Sequence, residues 1–169
     1  MKGSWEIRPA VESDARRLTE ISFTSKAHWD YPPEFFTVWA GELTISPQYI
    51  AVNDVFVFVQ KTVIIGYCSF VELQTDVYCG EVHLSAGFWL EHMFIDPNFL
   101  GLGIGRALFN HLRKVCRQKG ITQFNILADP HARNFYEKMG AKYQLDFPSS
   151  VPGRTTPQLL YQVSSSSVT

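Results

Sequence analysis

The chain has 169 residues, 46% hydrophobic and 18% charged, which suits one soluble domain with a core of its own and leaves no room for a second. Fifteen Lys and Arg residues against sixteen Asp and Glu give a formal net charge of −1, which argues against nucleic acid as a partner. The longest apolar stretch, around Val55 to Val59, is too short to cross a bilayer, and the start MKGSWEIRP lacks an apolar signal core. These features predict a cytoplasmic protein without a membrane partner.

The first part of the chain predicts one strand and two helices. WEIRPA, residues 5–10, has the composition of a strand, and Asp14 suits the N-cap of a helix that runs to about Lys26. Two prolines interrupt the aromatic segment HWDYPPEFFTVWA, residues 28–40, so a second, short helix is expected from about Pro33 to Glu42.

The middle of the chain is rich in β-branched and aromatic residues. Residues 55–60 and 63–73 are separated only by Lys61 and Thr62, which predicts a hairpin. A less regular strand or loop is expected from Tyr78 to Ser85. FWLEHMFI, residues 88–95, is predicted as a strand that ends at Asp96-Pro97.

Two helices are predicted after that strand. The glycine-rich run leads into a helix that ends at about Lys119 and is terminated by Gly120. After a strand at residues 122–127, Asp129 suits a cap with Pro130 at the first helical position. Inward-facing Phe135 and Met139 and a terminating Gly140 complete that second helix.

The last two strands are predicted at residues 142–147 and 157–163, around the loop PSSVPGR. This order of strands and helices predicts an α/β or α+β fold, with one sheet and helices over both of its faces. Residues 1–163 are expected to form a single domain, and the polar residues 164–169 a flexible tail.

The three cysteines and five histidines are scattered along the chain. Cys68, Cys79 and Cys116 lack the paired spacing of a metal site, and an odd number fits reduced thiols that pack in the interior. The histidines include no His-x-x-x-His pair. The sequence therefore predicts no metal cofactor.

The stretch NFLGLGIGRALF, residues 98–109, places glycines between a strand and a helix. Such a turn exposes successive backbone N–H groups beside the positive end of the helix dipole, which predicts an anion site for phosphate or pyrophosphate. Alternatively, the glycines only permit a tight turn and close helix packing. Arg106-Ala107 stands where a P-loop needs Lys-Ser/Thr, and DPNFL separates the strand from the first glycine, unlike a dinucleotide-binding fingerprint.

The strand, Asp-Pro, short loop, Gly-x-Gly-x-Gly and long helix together resemble the GNAT family of acyl-CoA-dependent N-acetyltransferases. The family signature Arg/Gln-x-x-Gly-x-Gly/Ala falls on residues 100–105, where Leu100 departs from it. A second block, DPHARNFYEKMGA at residues 129–141, is similar to the family pattern Asn/Asp-Pro-x-Ala-x-x-Phe-Tyr-x-x-x-Gly. The resemblance covers residues 88–163 well. It implies a mixed, mostly antiparallel sheet of about seven strands, with a splayed parallel strand pair that holds the cofactor.

The resemblance also implies which residues contact acetyl-CoA. Backbone amides of the glycine turn would bind the pyrophosphate, the preceding strand would pair with the pantetheine amide, and the second block would line the pantetheine arm. The implied residues are Met93, Phe94, Ile95, Leu100, Gly101, Leu102, Gly103, Ile104, Gly105, Arg106, Asp129, His131 and Tyr136. His131 stands where many relatives carry asparagine.

Two catalytic residues are expected. By resemblance Tyr136 protonates the departing thiolate, a role that suits a phenol, whose pKa is ordinarily about 10; the alternative is a half-buried helix residue. Glu91 is the leading base for deprotonating the amine, since Leu90-Glu91 is similar to the Leu-Glu pair of polyamine acetyltransferases. Glu72 and His83 are reserve bases, and His92 should face the opposite side of the strand.

The acceptor site is expected at the aromatic segment and the late loop PSSVPGR. Trp29, Tyr31 and Phe35 would enclose the substrate, with His28, Asp30 and Arg154 orienting its polar ends, or the aromatics only fill the core. The implied reaction is direct attack of a primary amine on acetyl-CoA in a ternary complex. A small cationic amine, a peptide N-terminus and an amino sugar remain open as acceptors.

Two other functions remain open at this point. One is an acyl-CoA-binding regulatory module without turnover, and the other is an acyltransferase that uses a longer acyl donor. The family resemblance also makes a homodimer possible through an exposed sheet edge.

Overall fold

The computed structural model describes residues 3–79 and 82–164. Its strands are β1 (Trp5–Pro9), β2 (Asp54–Gln60), β3 (Val63–Leu73), β4 (Val77–Cys79), β5 (Val82–Leu84), β6 (Gly87–Ile95), β7 (Gln123–Leu127), β8 (Lys142–Pro148) and β9 (Thr155–Gln162). Its helices are α1 (Ala15–Ala27), α2 (Pro33–Leu43), α3 (Pro47–Val52), α4 (Ile104–Lys119) and α5 (Arg133–Lys138). Within the described ranges, no helix combines the length and the apolar character needed to span a membrane.

Seven strands form one sheet, in the order β1-β2-β3-β6-β7-β9-β8, and β4 pairs with β5 separately. The β1–β2, β2–β3, β7–β9 and β8–β9 pairs are antiparallel, whereas β6 and β7 run parallel. The prediction of a mixed, mostly antiparallel sheet of about seven strands with one parallel pair is therefore confirmed.

The chain divides into two compact units. The first unit holds the described residues up to Phe70 together with His92–Leu108. The second holds the described residues of 71–91 together with those from Phe109 onward. Strands β3 and β6 and helix α4 therefore contribute residues to both units.

In the first unit, the predicted hairpin of β2 and β3 is present and turns at Lys61 and Thr62. Both residues adopt left-handed backbone conformations, with φ of 50° and 80°. Two successive positive φ values match the right-handed twist of antiparallel strands, as in the favoured two-residue hairpin turns. Buried residues of this hairpin and of α1, among them Val57, Leu18 and Ile21, form the core of the unit.

Helix α1 begins where the sequence predicts, but the role expected for Asp14 is wrong. The Asp14 carboxylate makes no side-chain cap to α1. It accepts a hydrogen bond from the Val11 amide at 2.9 Å and pairs with the Arg8 guanidinium at 2.8 Å. Asp14 therefore closes the short 3-10 turn at Glu12–Asp14 and ties it to β1.

Helix α3 has no counterpart in the predicted elements. Its six residues are too few to show a hydrophobic period. The local signal was nevertheless present, since Ser46 caps the helix by accepting the Tyr49 amide at 3.0 Å and Pro47 occupies its first position.

In the second unit, aromatic rings fill the space between α4 and the strands β7 and β9. The Phe109 ring lies 5.0 Å from that of Tyr161, which lies 5.1 Å from Phe124. Gly120 ends α4 with φ of +71°, as predicted. On α5, Phe135 and Met139 are half-buried, with the Phe135 ring edge-on to that of Phe109 at 6.4 Å, and Tyr136 is buried as well.

Candidate functional site

The glycine-rich run forms an open turn in the first unit. Gly101 and Gly103 have φ of +77° and +81°, the left-handed region that glycine adopts without steric cost. A Cβ atom added to either glycine would meet no atom within 4 Å. The glycines at these two positions therefore serve the tight turn of the backbone and not close packing. Of the alternative reading, the packing part is removed at these positions and the tight-turn part stands.

Helix α4 starts directly after this turn and has 16 residues. The Ala107 amide donates to the Gly103 carbonyl at 3.0 Å, whereas the amides of Ile104, Gly105 and Arg106 have no acceptor within the helix, as at any helix start. Those amides and the positive end of the helix dipole favour a bound anion. The turn and helix start thus have the geometry of an anion site that suits a phosphate or diphosphate group.

Two leucines flank Gly101 with their side chains largely in solvent. Leu100 is 44% exposed and Leu102 is 52% exposed. Arg106, in the first turn of α4, is exposed as well. Backbone amides are therefore the main polar groups of the turn itself, with Arg106 as the nearest cationic side chain in the sequence.

Asp96, just before the glycine turn, is linked through Arg17 to helix α1 and strand β3 of the first unit. The Asp96 carboxylate accepts the Asn98 amide at 3.1 Å and the Arg17 guanidinium at 2.8 Å, while Arg17 Nε donates to the Ile64 carbonyl at 3.0 Å. Burial would raise the pKa of Asp96, but the hydrogen bonds from Arg17 and Asn98 outweigh it and lower that pKa. Sequence reasoning missed Arg17, because its partners lie far away in the chain.

Gly66 in β3 allows the start of α4 to lie close to the sheet. A Cβ at this position would lie 2.9 Å from Ile95 Cδ1, 3.1 Å from Ile104 Cγ2 and 3.3 Å from the Phe94 carbonyl oxygen. Such contacts are too short for a side chain without displacement of the neighbours. Gly66 was also missed, because a glycine within a strand does not by itself indicate what approaches it.

Strand β6 carries the residues predicted to face the thioester. Glu91 is exposed and His92 is buried, so the expected alternation of the two side chains is confirmed. Met93, Phe94 and Ile95 are half-buried. The parallel register with β7 covers Trp89 opposite Asn125 and Leu90 opposite Ile126, and β6 continues to Ile95.

In the second unit, the block at residues 129–141 begins with another capped turn. Asp129 accepts the His131 amide at 3.0 Å and so caps the 3-10 turn Pro130–Ala132, whereas α5 begins only at Arg133 and has no side-chain cap. The Asp129 carboxylate lies 3.8 Å from the Arg154 guanidinium. Arg154 also donates to Ser149 Oγ at 3.4 Å, so the late loop is tied to this turn. His131 is exposed.

Tyr136 lies on α5 and is only 6% exposed. Its ring contacts Phe135 edge-on at 5.1 Å and lies 6.2 Å from the Phe109 ring. Tyr136 is therefore packed among aromatic rings and more deeply buried than the half-buried position expected as the alternative.

The aromatic segment of the first unit divides between core and surface. Tyr31 and Phe35 both pack edge-on against Trp39, at 5.0 Å and 5.4 Å, and Trp39 is buried. Trp29 is 41% exposed and touches His28 edge-on at 4.8 Å. The Lys26 ammonium lies 4.6 Å from the centre of the Trp39 ring, a cation–π contact that sequence reasoning missed.

The reserve bases lie elsewhere in the second unit. His83 pairs with Asp76 at 2.8 Å and stacks on the Tyr78 ring at 4.5 Å, and Glu72 is exposed. Among the described residues, no group of three or more His, Cys, Asp or Glu side chains could hold a metal ion.

The mixed sheet and the glycine turn before α4 define the class of fold, and comparison with known proteins identifies the family. The model of the acetyltransferase (GNAT) family matches residues 14–141. The chain therefore belongs to the GNAT acetyltransferase family, and the resemblance stated from the sequence is confirmed.

Solved structures agree on the fold. A GCN5-related N-acetyltransferase from Rhodopseudomonas palustris superposes with a TM-score of 0.73 at 18% identity, covering 96% of this chain and 98% of the other. PaiA N-acetyltransferase from Thermoplasma acidophilum, in complex with coenzyme A, superposes with a TM-score of 0.71 at 17% identity, covering 94% and 99%. At sequence identities this low, the similarity establishes the fold only.

Among curated proteins, the uncharacterized N-acetyltransferase ycf52 of Porphyra purpurea is 39% identical over 46 residues. That alignment covers 27% of this chain and 26% of the relative. The match thus spans about a quarter of the relative's length.

Proposed function

We propose that the protein is an N-acetyltransferase that moves the acetyl group of acetyl-CoA to a primary amine of a small molecule or peptide, by direct attack in a ternary complex. Membership of the GNAT family supports acetyl transfer in general. The observation that carries the proposal is the open glycine turn at the start of α4, whose amides suit a diphosphate.

In this proposal the amides of residues 100–106 bind the diphosphate, and Arg106 adds a positive charge. Met93, Phe94 and Ile95 offer the backbone of β6 to the pantetheine amide, and a backbone N–H of that segment stabilises negative charge on the carbonyl oxygen. Asp129 and His131 line the pantetheine arm. When bound, acetyl-CoA supplies the acetyl group as a thioester, so no protein nucleophile is needed.

The proposed proton transfers involve two side chains. An amine arrives mostly as ammonium, and Glu91, exposed on β6, accepts its proton directly or through water. Tyr136 donates its phenolic proton to the departing thiolate. Support for Tyr136 comes from its position in the second family block and from the aromatic packing that restrains its ring.

We further propose that His28, Trp29, Tyr31 and Arg154 contribute to acceptor binding. Exposed Trp29 provides an apolar surface. In the same segment, Lys26 lies over the rings of Trp39 and Tyr31, at 4.6 Å and 5.5 Å from their centres, so these rings already attract an ammonium group. This contact favours an acceptor that arrives as an ammonium ion.

The test combines binding with turnover. Isothermal titration should detect coenzyme A binding, and a free-thiol assay over a panel of amines should detect acetyl-CoA turnover that Tyr136→Phe and Glu91→Gln reduce by about 10²-fold or more. Tyr143→Phe, at an exposed tyrosine on β8, is the matched control and should keep full activity. Absence of coenzyme A binding would contradict the whole proposal.

One observation favours a second function. Exposed Leu100 replaces the Arg or Gln of the family signature, so the turn lacks that polar side chain. A regulatory module that binds acyl-CoA without turnover would tolerate this loss. Binding of coenzyme A without thiol release on any amine would favour the module, and faster turnover of succinyl- or longer acyl-CoA would favour a different acyltransferase.

A further inference from the structure

A buried chain of hydrogen bonds in the first unit has no role in the chemistry described so far. His92 on β6 is 9% exposed, and its Nδ1 lies 2.7 Å from Ser69 Oγ on β3. Its Nε2 lies 2.8 Å from the Glu42 carbonyl oxygen in α2. Tyr49 on α3 donates to Ser69 Oγ at 2.9 Å. These hydrogen bonds thus join strands β3 and β6 to helices α2 and α3.

The direction of each hydrogen bond follows from the chemistry of the groups. A carbonyl oxygen only accepts, so His92 Nε2 must carry a hydrogen and donate it to Glu42. In a neutral imidazole, Nδ1 then accepts, and Ser69 is the donor at 2.7 Å. Ser69 in turn accepts from Tyr49. Of the two neutral tautomers, the arrangement therefore selects the one that carries its hydrogen on Nε2.

The Glu42 carbonyl is one of the last four in α2, which have no amide donor within the helix. His92 satisfies this carbonyl with a side chain from the sheet. A polar network buried among rings specifies one arrangement of its elements, since any shift leaves buried groups without partners. The rings of Tyr49, Tyr67 and Phe94 surround His92 with centres 5.8 Å, 6.2 Å and 6.0 Å away.

We propose that His92 is a positioning residue for acetyl transfer, holding the β6 backbone between Glu91 and Met93 against the end of α2. This inference rests on the proposed function, in which Glu91 accepts the amine proton and Met93–Ile95 face the thioester. His92 faces away from Glu91 along the strand and acts through the backbone. It transfers no proton itself.

The primary variant is His92→Phe, which keeps a ring and removes both hydrogen bonds. We expect kcat to fall by about tenfold or more, because small displacements of reacting groups are costly, with the Kd of acetyl-CoA unchanged within about twofold. His92→Gln, whose amide can still donate to Glu42, should recover much of the loss. His111→Phe, at a half-buried histidine on α4, is the control and should keep wild-type kcat.

Two milder variants test the network if His92→Phe does not fold. Ser69→Ala removes the donor to Nδ1, and Tyr49→Phe removes the donor to Ser69, so kcat should fall more in the first than in the second. Long-range imidazole ¹H–¹⁵N NMR of the wild type should report the neutral Nε2–H tautomer, and the Nδ1 resonance should shift in Ser69→Ala.

Wild-type kcat in folded His92→Phe, or in both milder variants, would overturn the positioning role and leave the proposed function intact. An Nδ1–H tautomer, which could not donate to the Glu42 carbonyl, would do the same. A wild-type protein without turnover on any amine would overturn the proposed function itself, and the positioning role with it.

Discussion

Two turns of this molecule start alike and continue differently. In both, an Asp-Pro pair opens a three-residue 3-10 turn, with Asp96 accepting the amide of Asn98 and Asp129 accepting that of His131. Each carboxylate also faces an arginine, Arg17 at 2.8 Å and Arg154 at 3.8 Å. The shared local chemistry ends there.

After the first turn come two glycines with positive φ and a 16-residue helix, whereas the second leads into a six-residue helix with buried Tyr136. In the proposed function, the first region binds a ligand through backbone amides and the second through side chains. Both helices are thus preceded by the same kind of Asp-Pro turn, and the residues that follow the turn decide which polar groups are exposed there. Substitutions in one region, compared with the other region or with a matched site, test this difference.

The largest effect is expected from Gly103→Ala. A left-handed conformation costs a residue with a Cβ about 1–2 kcal/mol, and the new methyl group would stand on the open side of the turn. The Kd of coenzyme A should rise by about tenfold or more, as measured by isothermal titration. Gly120→Ala, with φ of +71° and equal open space, should lose similar stability and keep its affinity. Equal affinity losses in both variants would contradict a role for the turn in binding.

Gly66→Ala should disturb the same turn indirectly, through the residues that flank it. Because its Cβ would press on Ile95 and Ile104, we expect the free energy of unfolding to fall by about 1–3 kcal/mol and coenzyme A affinity to fall with it. Urea denaturation and titration calorimetry measure the two changes. Gly41→Ala, in α2 with no atom within 4 Å of the added Cβ, is the control and should not lose stability. Unchanged stability of Gly66→Ala would mean that the close approach of Ile104 is not required.

Asp96→Asn and Asp129→Asn compare the two carboxylates directly. We expect the free energy of unfolding to fall by about 1–3 kcal/mol for Asp96→Asn, because its arginine lies within hydrogen-bond distance, and by less for Asp129→Asn. Chemical denaturation at neutral pH measures the difference. The reverse order would show that the second turn carries the stronger ion pair.

The stabilising effect of Asp96 should also depend on pH. Since folding lowers the pKa of Asp96, its stabilising contribution is present above the pKa of the unfolded chain and is lost as pH falls through that value towards the folded pKa. The stability difference between wild type and Asp96→Asn should therefore shrink below about pH 4. A difference that stays constant down to the acid limit of folding would contradict the lowered pKa.

The smallest effect is expected from Leu100→Arg, which restores the family residue beside the glycine turn. A charge-assisted contact to a phosphate should tighten coenzyme A binding by a few-fold, about 1 kcal/mol, and the gain should weaken with added salt. Leu145→Arg, at an exposed leucine on β8, adds the same charge elsewhere and should leave affinity unchanged. A gain from Leu145→Arg of the same size would point to net charge and not to a local contact.

Local signals in the sequence were enough for most elements and for the glycine turn. Alternating β-branched residues, the Lys61-Thr62 turn, the Asp-Pro caps and Gly120 each act within a few residues, so the elements that they define were predicted close to their bounds. The short helix α3 was not predicted, since six residues are too few to show a hydrophobic period. The family and the fold class were also readable, because their motifs are contiguous.

Tertiary structure alone decided which distant residues support those elements. Arg17 reaches Asp96 across 79 positions of the chain, Gly66 makes room for Ile104, and His92 meets Ser69, Tyr49 and Glu42. It also turned Asp14 from a cap of α1 into a partner of Arg8 and Val11, and buried Tyr136. The physical reason is that caps and turns are satisfied by neighbours in sequence, whereas buried polar groups and close contacts are satisfied by whatever the folded chain brings near.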